Sequence, residues 1–141
     1  MTNIIIQPVI ALMLLTCLVW CYMYFLRLKY IITHKIHAQK LATPEQCHSV
    51  LPSPINKPSN NLKNLFELPV VFYSLCFILI LTEQTDITFV YLAWSFVVGR
   101  YFHSLFHCFF DSVIARFYAY FISSLVLWGM IIKLVYQVIV Q

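Results

Sequence analysis

The chain has 141 residues, 62% of them apolar and only 10% charged, with a formal charge of +4 and a mean hydropathy of +0.83. These proportions exclude a soluble globular domain and describe an integral membrane chain, in which the basic excess sets topology and is no nucleic-acid footprint. The length accommodates about four spanning helices of ~20 residues each, and a single all-α bundle with no second domain is expected.

The first apolar run, Ile4 to Leu26, is interrupted by Gln7 and Pro8 only near its start. It has neither a basic leader nor a small-residue cleavage site, so it is expected to be a retained helix. Next comes the one long polar stretch, Arg27 to Lys63, with Pro44, Pro52, Pro54 and Pro58. Pro58 is expected just ahead of the second helix, because proline is poorly tolerated in a helix interior. The second run is Leu65 to Leu81, the third Ile87 to about Phe110, and the fourth Phe117 to about Val140.

The polar stretch carries Arg27, Lys29, Lys35, Lys40, Lys57 and Lys63 against one acid, Glu45, while the next turn carries only Glu83 and Asp86. The positive-inside rule then places residues 27–63 in the cytoplasm and both termini on the opposite side. Cys17, Cys21, Cys47, Cys76 and Cys108 have no metal-ligand spacing and imply no disulfide.

Arg100, His103 and His107 break the third run at i, i+3 and i+7, a spacing that puts them on one helical face. Ionisable groups at membrane depth face a bundle interior, a partner or a wet cavity. A second polar cluster, Asn64 to Pro69, enters the membrane from the same side, with Glu67 about one turn inside it and Arg100 about two turns deeper than His107. A carboxylate and a cation thus share one half of the bilayer. Together they can form a hydrogen-bonded pair, and the two readings are a structural ion pair that fixes helix register and a ligand site.

His103 and His107 at i, i+4 leave open a haem or metal carrier, although such a site needs further ligands. Two ring donors hydrogen-bonding a polar ligand, or simply each other's helices, are the other reading. His34, His37 and His48 are expected to be solvated. Asp111 and Arg116 stand where they can cap or pair across the turn into the fourth helix, with Arg116 also able to reach an anion at headgroup level. Lys133 lies deep in the fourth helix or snorkels from it.

The segments Asn64-Leu-Phe-Glu67-Leu-Pro69-Val-Val-Phe-Tyr73 and Gly99-Arg100-Tyr-Phe-His103-Ser-Leu-Phe-His107 resemble the MAPEG family, the membrane-associated proteins of eicosanoid and glutathione metabolism, and most of all its small bacterial members. The resemblance covers most of the chain. It implies a four-helix bundle assembled as a homotrimer in a bacterial inner membrane, with glutathione as co-substrate in clefts between subunits that open toward the cytoplasm. The implied activity is that of a glutathione transferase or peroxidase acting on lipophilic small molecules, in detoxification.

By that resemblance Asn64 and Glu67 match the ligand-binding residues of the second helix, and Arg100 the arginine that opens the third-helix motif. His103 and His107 fall where the transferring members place tyrosines, and Arg27 resembles a ligand-binding arginine at the end of the first helix. Ser59-Asn60-Asn61 stands where the transferases carry an arginine one turn before the asparagine. The arginine that stabilises the glutathione thiolate lies beyond the third-helix motif in the family. Arg116 is the nearby candidate for that catalytic charge, with Arg100 the other.

Overall fold

A computed structural model describes residues 2–110 and 112–140. Its α-helices are α1 (Thr2–Thr33), α2 (Pro44–Val50), α3 (Ser53–Leu65), α4 (Leu68–Leu81), α5 (Ile87–Phe109) and α6 (Val113–Val140), with one 3-10 turn at Ala38–Leu41. The third and fourth runs are close to their expected bounds, with α6 starting a turn earlier, at Val113. Two differences concern the first half of the chain.

α1 continues past Leu26 to Thr33, because Arg27 to Thr33 contains no glycine or proline to stop it. It ends in a Schellman arrangement: the Lys35 N–H donates to Ile32 O and the Ile36 N–H to Ile31 O, with Lys35 at φ 50°. α4 ends the same way, with Glu83 at φ 56° and N–H groups of Glu83 and Gln84 donating to Ile80 and Leu79. The chain has only two glycines, so charged residues take the left-handed position that glycine usually fills.

The expected polar loop is largely helical. Thr43 and Gln46 form a capping box that opens α2 with Pro44 in its first turn. The Asn56 side chain donates to Leu51 O at 2.8 Å and to His48 O at 3.4 Å, tying α2 to α3. Pro58 therefore does not precede the second helix but lies inside α3, where it forgoes the bond to the Pro54 carbonyl. Pro58, Asn61 and Leu65 are buried on one face, again at i, i+3 and i+7. Two buried asparagines lower the apolarity of this segment enough for it to pass as loop.

α3 and α4 are separated at Phe66–Glu67, where Glu67 has φ −96° and ψ −100°. Pro69 is the cause: in a continuous helix its ring would clash with the Leu65 carbonyl, whereas in the first turn of a new helix it fits. Three segments among the described residues are long and apolar enough to cross a membrane, Ile4–Thr33, Ser53–Leu81 and Val113–Val140. α5 is not among them although it has 23 residues, because Arg100, His103 and His107 lower its apolarity.

The core joins α1, α4, α5 and α6 through Leu12, Phe72, Leu79, Phe89, Phe96 and Leu127, each fully buried. Phe72 and Phe96 stack at 4.8 Å. Leu18, Phe25, Phe77, Leu81, Ile114 and Ile139 point outward and are more than half exposed, as expected of helices whose outer surface meets lipid. The molecule is an all-helical, multi-pass membrane protein.

Lys133 reaches the turn between α4 and α5, where its Nζ lies 2.5 Å from Asp86 Oδ2 and 4.3 Å from the centre of the Phe89 ring. Asp86 also caps α5 by accepting from the Phe89 N–H at 3.0 Å. Burial works against its charge, but Lys133 and that N–H hold its carboxyl below the usual carboxylate range.

Candidate functional site

Arg100 is fully buried and is positioned by the break in the second span. A helix leaves its last carbonyls without intrahelical partners, and in a membrane each must be satisfied by protein. The Arg100 Nη2 donates to Asn64 O at 2.8 Å, placing a cation at the negative end of α3. Its Cζ lies 5.1 Å from the centre of the Tyr120 ring, within cation–π range. Nε and Nη1 are buried with no hydrogen-bond partner.

Glu67 and Arg100 share this region without forming a direct ion pair. Glu67 lies in the break between the two helices and is exposed, and its Oε2 accepts from the Tyr120 hydroxyl at 3.5 Å. Tyr120 thus contacts both groups, with its ring toward the arginine and its hydroxyl toward the carboxylate. Equal depth had suggested a pair, but depth says nothing of the direction in which each side chain leaves its helix.

His103 holds the cluster together. Its Nδ1 lies 3.1 Å from Arg116 O and its Nε2 3.4 Å from Asn64 Nδ2. The two contacts fit the neutral ring with the proton on Nδ1, which donates to the carbonyl while Nε2 accepts from the amide. α3, α5 and α6 therefore meet at one imidazole. His107 is buried beside it, ring centres 5.6 Å apart, and its Nδ1 has no partner.

A cleft of about 260 Å³ opens over this cluster, lined by Asn64, His103, Val113, Arg116, Phe117 and Tyr120. Arg100 forms no part of its lining and stands behind Tyr120, whereas Arg116 is half-buried in its wall. The arrangement offers a guanidinium, an amide and a phenol to one small polar ligand, with Glu67 at the edge.

A model of the MAPEG family matches residues 5–136. The chain belongs to the MAPEG family. Neither the curated proteins nor the solved structures compared with it include a match.

In this MAPEG chain Asn64, Glu67, Arg100, His103 and Arg116 converge, while Arg27 does not join them. Arg27 lies at the α1 side of α3, where its Nη2 donates to Ser59 Oγ at 3.0 Å. Asp111 falls outside the described residues. Among those residues no three His, Cys, Asp or Glu side chains gather as metal ligands, and both ring nitrogens of His103 are already engaged by protein.

Two members of the cluster were not anticipated. Tyr120 lies one turn beyond Arg116 on α6, the i, i+4 spacing that puts both on one face. Asn61 lies one turn before Leu65; its Oδ1 accepts from Ser104 Oγ at 3.3 Å, and its Nδ2 lies 3.5 Å from Cys108 Sγ. The i, i+3 step from Asn61 to Asn64 was the available signal for it.

Proposed function

We propose that this chain is a membrane glutathione transferase or peroxidase acting on lipophilic electrophiles, working as a homotrimer with α5 as its fourth span. The observation that carries this reading is the broken α3–α4 segment, with a buried arginine at the break and a cleft lined by Asn64, Arg116 and Tyr120 beside it. Discontinuous membrane helices are tolerated where they are buried in protein or line a cavity, and their ends recurrently form ligand sites.

Glutathione carries two carboxylates, an ammonium and a thiol. Asn64 and Arg116 suit the carboxylates or the ionised thiol, and Glu67 suits the ammonium. Arg116 is assigned as the thiolate-stabilising cation because it lines the cleft, and Arg100 as the residue that fixes Asn64 and Tyr120. The thiolate sulfur forms a bond to the electrophilic carbon, and the leaving group departs with its electron pair. An apolar substrate arrives from the bilayer while the tripeptide arrives from water.

The cleft, about 260 Å³, is smaller than the ~300–1,000 Å³ of complete small-molecule pockets, which supports a second wall from a neighbouring copy. With four spans the basic segment 27–63 faces the cytoplasm and both termini the other side. The alternative is a non-catalytic protein in which Arg100 serves structure alone, through the Asn64 carbonyl and the Tyr120 ring and without a direct ion pair to Glu67.

The test is ultraviolet absorbance of bound thiolate during glutathione titration. A free thiol of pKa ~8.5 is only about 3% ionised at pH 7, so a strong thiolate signal in the wild-type protein requires a stabilising cation. Arg116→Gln is expected to retain weakened glutathione binding while losing at least tenfold of that signal. Absence of binding to the wild-type protein at millimolar glutathione would remove the proposal.

A further inference from the structure

A second polar cavity lies on the other side of α3. Arg27, Ser59, Lys63 and His48 line it together with Thr43 and Pro44, and it encloses about 260 Å³. Ser59 and Lys63 lie one turn apart on α3, whereas Asn64 is rotated about 100° from Lys63, so this cavity and the Asn64 cleft occupy different faces of the helix.

The cavity is built for an anion. Arg27 Nη2 donates to Ser59 Oγ at 3.0 Å, which fixes the guanidinium plane, and Arg27 Nε is buried with no hydrogen-bond partner. Lys63 adds a second cation. Glu45 is the one acid in residues 27–63, and it does not line the cavity. Hydrogen bonds from its own backbone N–H and from Thr43 hold its carboxyl below the usual carboxylate range, with smaller electrostatic contributions from Lys63 and His48. The roof is the capped start of α2, held to α3 by Asn56.

The cavity lies beside the end of the apolar stretch of α1, which bears on the kind of anion. The span Ile4–Thr33 has 30 residues, about 45 Å of helix, against a hydrocarbon core of ~30 Å. Its uninterrupted apolar stretch stops at Leu26, and Arg27, Lys29 and Lys35 follow. With α1 spanning the bilayer, the end of this apolar stretch sets Arg27 where basic residues meet the negative surface of an anionic leaflet. A guanidinium, a hydroxyl and an ammonium lining one cavity suit a phosphodiester.

We propose that the Arg27–Ser59–Lys63 cavity binds the headgroup phosphate of an anionic phospholipid, as a site separate from the Asn64 cleft. A lipid seated there ties the end of α1 to α3 and to the α2 roof, fixing the cytoplasm-facing segment against the bilayer surface. Within one copy the cavity shares no lining residue with the Asn64 cleft.

Native mass spectrometry of the purified protein in detergent, with added phosphatidylglycerol or phosphatidylcholine, tests this. The wild-type protein is expected to retain phosphatidylglycerol at least tenfold better than phosphatidylcholine. Arg27→Gln is expected to abolish that preference. Lys63→Gln, at an exposed position of α3 where folding is not at risk, is expected to reduce it severalfold with glutathione binding unchanged. Lys40→Gln, also exposed but outside the cavity, serves as control.

Equal losses in the Lys40 and Lys63 variants would overturn the proposal in favour of diffuse surface charge. Displacement of the lipid by millimolar inorganic phosphate would reassign the cavity to a soluble anion. Loss of glutathione binding in Lys63→Gln with lipid retention intact would reassign it to a carboxylate of the tripeptide.

Discussion

Replacing Arg100 with methionine is expected to lower glutathione affinity at least tenfold while leaving the protein folded. The two consequences separate because the arginine has two kinds of contact. Its buried charge is costly, and exchanging buried ionic groups for apolar side chains of similar volume is often neutral or stabilising. Against that, the Asn64 carbonyl loses its donor, a cost of about 1–3 kcal/mol for a buried acceptor, and Tyr120 loses its cation. These effects oppose each other, so the melting temperature in detergent should move by only a few degrees. The cleft does not have that compensation: Asn64 and Tyr120 both line it, and Arg100 holds the first at its backbone carbonyl and faces the ring of the second. Arg100→Lys keeps a charge but loses the planar fork and the ring stacking, so it is expected to recover affinity only in part. Isothermal titration with glutathione and thermal unfolding on the same preparations check both halves. Unaltered affinity in Arg100→Met would show that the buried arginine does not organise the cleft.

The parts of this fold that were legible in the sequence are those that periodicity and apolarity encode. The apolar runs stand out, and Arg100, His103 and His107 at i, i+3, i+7 announced a buried polar face, which the structure places between α3 and α6. α3 was not legible because its buried face is Pro58, Asn61 and Leu65, and hydropathy reads asparagine as loop whether or not it is buried. The break at Phe66–Glu67 was implicit in Pro69, but the direction in which it turns Glu67 was not. Tyr120 was missed for a different reason. It belongs to the site through lateral packing of α5 on α6, and nothing in a one-dimensional pattern says which faces of two helices meet.

That α5–α6 contact is also where the largest loss of stability is expected. A Cβ on Gly99 would lie 2.8 Å from Ser123 Cβ and 3.8 Å from Ala119 O, so the two backbones approach as closely as they do only because residue 99 has no side chain. Alanine gains about 1 kcal/mol in helix propensity but overpacks by about 1–3 kcal/mol, leaving Gly99→Ala destabilised on the order of 1 kcal/mol. Gly99→Leu must separate the helices and is expected to prevent a folded assembly from being recovered in detergent. The damage extends to the cleft, because Ser123 Oγ donates to Tyr120 O at 2.9 Å and Arg116 lies one turn further toward His103. Pushing α6 outward at Ser123 should draw Tyr120 and Arg116 away from His103, so Gly99→Ala should weaken glutathione binding together with stability. Ser123→Gly removes the clashing carbon, and the Gly99→Ala/Ser123→Gly double variant is expected to recover most of the loss, a coupling of about 1 kcal/mol or more, as contacting residues show. Strictly additive melting shifts would mean that the two helices do not meet at Gly99 and Ser123, and the lateral packing that brings Tyr120 to Arg100 would then need another origin.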